Sequence, residues 1–527
     1  MNEIVPAPRL LADIESPWNH FARRFIEAPV YRLGTPFPPH PLANYWRLEL
    51  KQDGLQYVIE SDKPVLDTLP VWPKLRSASW VFATLIEFDK TYGWCLCSRA
   101  IGAFPGTGNI GKFVKAPDWV DHDEAPLDFA ASIRRNLDWF DSLENHPKAT
   151  YREKGMPAWW WHAAEGGDPV NGDFLPGSFP ATGSQGIGAL LAAAKVWPDR
   201  AAHYRGIACA IGDWLLKNHT PMTGEVPGMP YTAMREGTFE YSVDGGAVNL
   251  TRGSIPGVML LLLYRATGER KYLEYAQHIA GVLVRFIRED GSMPYRVNPL
   301  TGEEVEQYTC GNQGVGLFLL DLDKIAPDSR WREAAARIVH WTINHPLRDF
   351  NWKGCYEDVS EHRPFINLTG MDALCAVRLL CRQGELAQAR KLFRWVEDQF
   401  VNFGDELSLK VPTFYPSVRE QWLCDFPMEG HASNYANTCW EMHRVTGDAM
   451  YRRKGIATLN AIVRSQRADG AYSTWGVDRH TGRRLLGYGG EGSWFNANHA
   501  AASGLCRFVL SERGEKLSFD GSGVKHV

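Results

Sequence analysis

The chain has no long apolar run, no basic excess and no cysteine cluster with metal-ligand spacing. No stretch of its 527 residues approaches the roughly 20 apolar residues that span a bilayer. Val258 to Leu263 is only a short buried run, so no membrane partner is expected. Lys and Arg number 57 against 61 Asp and Glu, a net charge of −4. No basic run interleaves with aromatics in a groove-like patch, which leaves no footprint of a nucleic-acid binder. The 10 cysteines are scattered, several of them (Cys209, Cys375, Cys381, Cys439, Cys506) inside helical patterns. That usage suits reduced core thiols in a cytoplasmic protein. Cys95-x-Cys97 is spaced wrongly for a zinc knuckle and alternates as a strand does. The loop cysteines Cys310, Cys355 and Cys424 could meet around a metal only through the fold, since their spacing is no ligand pattern, and no metal is expected. The first residues, Met1 to Arg9, lack the basic and apolar regions of a secretory signal. Gly106-Thr-Gly-Asn-Ile-Gly111 matches the dinucleotide fingerprint only as a pattern. Without a strand before it and a helix after it, it reads as a glycine loop, and no cofactor is expected.

What the chain does have is a repeat. Tyr264-Arg-Ala-Thr-Gly-Glu-Arg-Lys-Tyr272 recurs as His443-Arg-Val-Thr-Gly-Asp-Ala-Met-Tyr451. An Asp-Gly pair follows each closing tyrosine at the same distance, Asp290-Gly291 and Asp469-Gly470, and a Thr-Gly follows that, Thr301-Gly302 and Thr481-Gly482. Each copy reads as a helix end, a tight turn, a second helix and then an exposed loop. One supersecondary unit is being reused.

The unit extends through most of the chain. Tyr272, Tyr275, Ala276, Ile279, Val282, Leu283 and Phe286 fall on one face of a helix. Gly314 to Leu322 is apolar nearly all round, which requires burial on every side. Six such pairs are expected. Outer, amphipathic helices lie near 128–145, 203–217, 270–288, 330–345, 386–402 and 449–466. Inner partners lie near 184–197, 251–265, 312–324, 367–383, 430–446 and 494–511. The inner segments are rich in small residues, such as Gly186, Gly188 and Ala192 to Ala194, or Ala500 to Ala502 and Gly504. Small side chains let helices crowd around an axis. Ahead of them, Tyr45 to Leu50 and Gly54 to Glu60 alternate as strands; Ser77 to Ile86 is strand or buried helix. The expected fold is mainly α. An (α/α)6 toroid of six helical hairpins over 125–512 is preceded by a small β-containing region over 1–124 and followed by a tail over 513–527.

This layout resembles the six-hairpin toroid of many carbohydrate-active enzymes, over roughly residues 125–512. An open protein-binding solenoid is the alternative scaffold, but solenoid repeats are short and uniform. Here the outer-to-inner loops run to about two dozen residues or more, where helix connections usually take about 2–8.

In a closed ring the loops that lead into the inner helices meet at one mouth, and these loops are rich in aromatic and ionisable residues. Loop one contains Trp159 to Trp161 and His162. Loop two contains Glu236, Glu240, Tyr241, Asp244 and Arg252, and loop three contains Glu306 and Gln313. Loop four contains Glu357, Asp358, His362, Arg363 and Asn367. Loop five contains Arg419, Asp425, Glu429 and His431, with Tyr435 beyond. Loop six contains Tyr488, Glu491, Trp494, Asn498 and His499. The chain has 20 tryptophans. Aromatic faces stack on sugar CH faces while amides and guanidinium groups take the hydroxyls, so Trp160, Trp161, His162, Tyr241, Arg252, Gln313, His362, Arg363, Asn367, Tyr435, Trp494 and Asn498 are candidate substrate-binding residues. Three consecutive tryptophans cannot all face one core.

Glycoside hydrolysis needs two carboxyl groups flanking the scissile bond. Loops two and five lie opposite each other in a six-fold ring. The expected pair is Glu240 or Asp244 with Asp425, Glu429 or Glu491. The substrate is then an oligosaccharide or polysaccharide, and a uronate-bearing one suits the arginines. The toroid resemblance also admits two other chemistries. Polysaccharide lyases use a Tyr or His base with Asn, His or Arg on the carboxylate, and Asn498-His499 with His431 to Tyr435 is loosely similar. Acylglucosamine-type epimerases use paired histidines, for which His431 and His499 stand. The unsaturated glucuronyl hydrolases share the ring and rely on an Asp acid/base. Oligomeric state is not legible.

Overall fold

The computed structural model describes residues 43–52, 55–63, 80–91, 94–105, 114–115, 119–143, 164–165, 177–178, 180–231, 234–235, 248–306, 311–349, 371–404, 413–421, 424–473, 476–477, 479–480, 493–513, 517–519 and 524–526. Among them, the outer helices are α1 (Phe129–Leu143), α3 (Ala201–Leu215), α5 (Arg270–Arg285), α7 (Ser329–Asn344), α9 (Leu386–Phe400) and α11 (Ala449–Arg464). The inner helices are α2 (Gln185–Val196), α4 (Ser254–Thr267), α6 (Asn312–Ile325), α8 (Met371–Arg382), α10 (Glu429–Thr446) and α12 (Phe495–Glu512).

Burial follows the two sequence patterns. In α5 one stripe is buried, from Tyr272 and Leu273 through Ile279 to Leu283. In α4 every residue from Pro256 to Leu263 is buried. The inner helices pack in the cyclic order α2, α4, α6, α8, α10, α12 and back to α2, so the ring is closed. Each inner helix also packs on the outer helix that follows it, and α12 packs on α1. That last pairing joins opposite ends of the chain. Phe129 meets Phe508 edge-on at 5.1 Å, and Asn136 Nδ2 donates to Asn498 Oδ1 at 2.8 Å. Small residues permit the close approach: the Phe318 ring lies where a side chain at Gly257 would project, and Ser433 fills that position at Gly504.

The repeat is a set of turns. Gly268 and Gly447 end α4 and α10 in the left-handed conformation, at φ 75° and 71°. Their N–H groups donate to Tyr264 and His443, and Thr267 and Thr446 each donate to a carbonyl one helical turn back. The Asp-Gly pairs turn the chain a few residues after the outer helices α5 and α11 end. Gly291 and Gly470 have φ of 90° and 102°, and each presses its backbone against the next outer helix. A Cβ at either would overlap the carbonyl oxygen of Arg337 on α7 or of Arg135 on α1. The loop after Asp290 therefore differs from the exposed segment that the sequence suggests. Gly291 through Val297 are buried, because the turn is wedged between neighbouring hairpins.

Ahead of the ring stands an antiparallel sheet of β1 (Tyr45–Gln52), β2 (Leu55–Ser61), β3 (Trp80–Asp89), β4 (Trp94–Pro105) and β5 (Val114–Lys115). Its strand order is β4-β3-β1-β2-β5. Trp80 to Ile86 of the ambiguous segment is strand, Ser77 to Ser79 lie outside the described residues, and Cys95 and Cys97 lie on β4. Tyr45, Ile86 and Phe88 join the core that runs through the helices. The connection from sheet to ring is strapped to α11. Asp121 accepts from Arg453 at 2.7 and 2.5 Å, Glu124 pairs with Arg464, and Asn460 bridges the Leu127 N–H and the Ala125 carbonyl. The glycine loop Gly106 to Gly111 lies outside the described residues. Among those described, no helix is long and apolar enough to cross a membrane.

Candidate active site at the mouth of the ring

The outer-to-inner loops are stitched to one another by short strands at one end of the ring. Loop one joins loop six where β6 (Ala164–Glu165) pairs with β15 (Ser493–Trp494). It joins loop two where β7 (Gly177–Ser178) pairs with β8 (Met234–Arg235). Loop two joins loop three through β9 (Val248–Asn249), β10 (Arg296–Val297) and β11 (Glu304–Glu306). Loop five folds on itself as β12 (Val401–Asn402), β13 (Ser417–Gln421) and β14 (Cys424–Pro427). Loops six, one, two and three thus form a continuous rim over the start of the inner helices.

Several candidates fall on described elements. Asp425 is on β14, immediately before α10. Glu429 is the first residue of α10, with His431 one step further into the same turn. Arg252 sits half-buried in the tight turn Leu250–Gly253 that leads into α4. Trp494 is on β15, and Asn498 and His499 are in the first turn of α12. Trp160, Trp161, His162, Glu240, Tyr241, Asp244, His362, Arg363, Asn367 and Glu491 lie outside the described residues.

Glu429 is 6% exposed. Burial pushes its carboxyl up to about 8, opposed by a hydrogen bond with Ser465 at the end of α11. It therefore carries its proton at neutral pH, the form a general acid needs. Its neighbours, Ser465 and the fully buried Tyr472, belong to the layer behind the inner ring. His431 is buried at 4% exposure.

Three candidates turn toward the outer layer. The Tyr435 hydroxyl donates to Glu397 on α9 at 2.6 Å, and its ring stacks on Phe393 at 5.5 Å. Lys454 on α11 completes that group, 2.7 and 3.0 Å from the two Glu397 oxygens. Burial holds the Tyr435 phenol well above its usual range, and Cys439 and Glu397 add to the effect. Gln313 donates to Thr342 on α7 at 3.3 Å. Asn498 accepts from the Tyr472 N–H at 2.7 Å and donates to its carbonyl at 3.2 Å, clamping the chain after α11. Asn312, at the start of α6 three hairpins earlier, donates to the Gly291 carbonyl at 3.0 Å. Sequence reasoning missed the partners Glu397, Lys454, Ser465 and Tyr472. An acid and a lysine on the apolar faces of neighbouring amphipathic helices were the signal for the first two. Among the described residues, no group of His, Cys, Asp and Glu is arranged to hold a metal ion.

The closed double ring with its loop-built mouth is a six-hairpin (α/α)6 toroid. No protein-family model matches the sequence, and no curated protein does. Solved structures do match the fold. A D-mannose isomerase superposes with a TM-score of 0.54 at 11% identity, over 73% of this chain and 97% of its own. A GH76 α-mannanase from Bacteroides thetaiotaomicron gives 0.51 at 12% identity, over 73% and 97%. A cellobiose 2-epimerase from Bacillus thermoamylovorans gives 0.51 at 12% identity, over 71% and 98%.

Proposed function

We propose that the protein is a carbohydrate-active enzyme, a glycoside hydrolase that cleaves an oligosaccharide or polysaccharide in the mouth of the ring. One carboxyl comes from Glu240 or Asp244 on loop two, its partner from Asp425, Glu429 or Glu491 on loops five and six. The observation that carries this reading is closure of the inner ring beneath a stitched rim. Closure brings loops distant in sequence to one end of the ring, and such separate loops can supply the two acids that two-carboxyl hydrolysis requires. Arg252, with His362 and Arg363, would receive the carboxylate of a uronate-bearing sugar.

A sugar epimerase is the second reading. It is supported by His431 on α10 and His499 on α12, neighbouring inner helices, and by the isomerase and epimerase that share the fold. The lyase reading is weaker, because the Tyr435 proton is held against Glu397 and the phenol does not ionise near neutral pH.

A glycan panel followed by mass spectrometry and chromatography separates these outcomes. A hydrolase adds water, a lyase leaves fragments summing to the parent, and an epimerase yields an isomer of unchanged mass. On the substrate found, at least one of Glu240→Gln, Asp244→Asn, Asp425→Asn, Glu429→Gln and Glu491→Gln is expected to lose about 10²-fold or more in kcat. Near-normal turnover by all five rejects the hydrolase.

A further inference from the structure

The C-terminal halves of the inner helices hold a second cluster that the mouth does not use. Asp321 stands on α6, Arg378 and Arg382 on α8, Glu441 and Arg444 on α10, and Arg507 on α12. Asp321, Arg378, Glu441 and Arg507 are each 3% exposed or less. Glu441 accepts from Arg444 Nε at 3.0 Å and Nη2 at 2.5 Å. Asp321 accepts from Arg382 at 2.9 Å and from Lys324 at 3.0 Å. Arg507 lies within electrostatic reach of Glu441, Arg378, Arg382 and Arg444. Arg507 is buried on α12, and α10 stands between it and the α8 arginines in the ring order.

Arg444 pairs with Glu441, Arg382 and Lys324 pair with Asp321, and Arg507 adds a further buried guanidinium beside them. Glu441 and Arg507 are both ionised at neutral pH. Burial acts to raise Glu441, but Arg444, Arg382 and Arg507 outweigh it and hold the carboxyl at about 2. Burial lowers Arg507 to about 9, with Glu441 opposing and the other arginines assisting. A guanidinium does not discharge to escape burial, so it needs a counter-charge and acceptors. Arg507 has neither in full: its Nε, Nη1 and Nη2 all lack an acceptor among the described residues. The carbonyl ends of the inner helices attract cations, yet Arg507 stands more than a turn before the end of α12 and donates to none of them.

We propose that a small inorganic anion is enclosed beside Arg507 inside the ring of inner helices, as a structural ligand acquired during folding. The planar fork of a guanidinium matches an oxyanion of the phosphate or sulfate type, which accepts two parallel N–H bonds. Chloride offers the charge without the fork. The inference does not rest on the hydrolase reading.

The test is to exchange the purified chain into acetate buffer, denature it and count the released phosphate, sulfate and chloride by ion chromatography. About one equivalent of one of them per chain is expected from the wild type, and less than a tenth of that from Arg507→Met. The species released tells oxyanion from halide. No released anion, or equal amounts from both proteins (an adventitious ion only), overturns the proposal. Should Arg507→Met not fold, a crystal structure of the wild type decides. Density heavier than water within hydrogen-bond distance of Arg507 supports the site, and contacts to protein or water alone reject it.

Discussion

Replacing Glu429 with glutamine tests whether burial dominates this carboxyl. Its ordinary value of 4.5 rises to about 8 in the fold. Between those values the native state binds a proton that the unfolded chain has released. Stability must therefore fall as pH rises through this window, and be level below 4.5 and above 8. Each unit corresponds to about 1.4 kcal/mol, so from pH 5.5 to 8.5 the wild type loses roughly 3 kcal/mol from this group. Glu429 is the first residue of α10, where the helix dipole favours the anion by about 0.3–1 kcal/mol, which brings the net nearer 2–3. Glutamine keeps the shape and cannot ionise. Urea denaturation followed by tryptophan fluorescence, at pH 5.5, 7 and 8.5, should show Glu429→Gln gaining on the wild type by that amount across the range. Parallel pH profiles for the two proteins would refute the claim that a desolvated, protonated carboxyl sits here.

Two further substitutions probe the scaffold. Gly291→Ala must hold alanine at φ 90° and push against the Arg337 carbonyl, so it should cost about 1–2 kcal/mol for the backbone and about 1–3 more for the overlap. Gly268→Ala, at φ 75° with nothing within 4 Å of its Cβ, should cost only about 1 kcal/mol. Equal losses in thermal melts would contradict the wedge. Lys454→Met leaves the largely buried Glu397 with Tyr435 alone and should destabilise by about 3–5 kcal/mol. Adding Glu397→Gln should recover much of that loss, and a double variant as unstable as the single would exclude the pairing.

The ring was legible because its signals are local. The Thr-Gly and Asp-Gly turns, the one-sided burial of α5 and the all-round burial of α4 are properties of short windows, and each survives in the structure. The packing role of Asp290-Gly291 was not legible, because Gly291 is pressed by a helix that begins about forty residues later. The candidate site divides in the same way. That acids and aromatics gather in the loops into the inner helices can be read from composition. Which way a given side chain turns depends on partners far along the chain. Tyr435 faces Glu397 and Gln313 faces Thr342, and nothing in their own segments distinguishes these from pore-facing neighbours. The arginines at 378, 382 and 507 were the overlooked signal. Charges recurring in helices that must be buried all round point inward by necessity.

The pairing of α1 with α12 bears on how the molecule is made. Contacts such as Phe129 with Phe508 cannot form until the last hairpin has left the ribosome. Until then α1 and α2 present an apolar flank with nothing against it. The nascent chain is an arc with two sticky edges, the state in which association with a second chain competes with folding. Variants that slow arrival or docking of α12 should then lower yield in the cell more than they lower the melting temperature of whatever protein completes the circle.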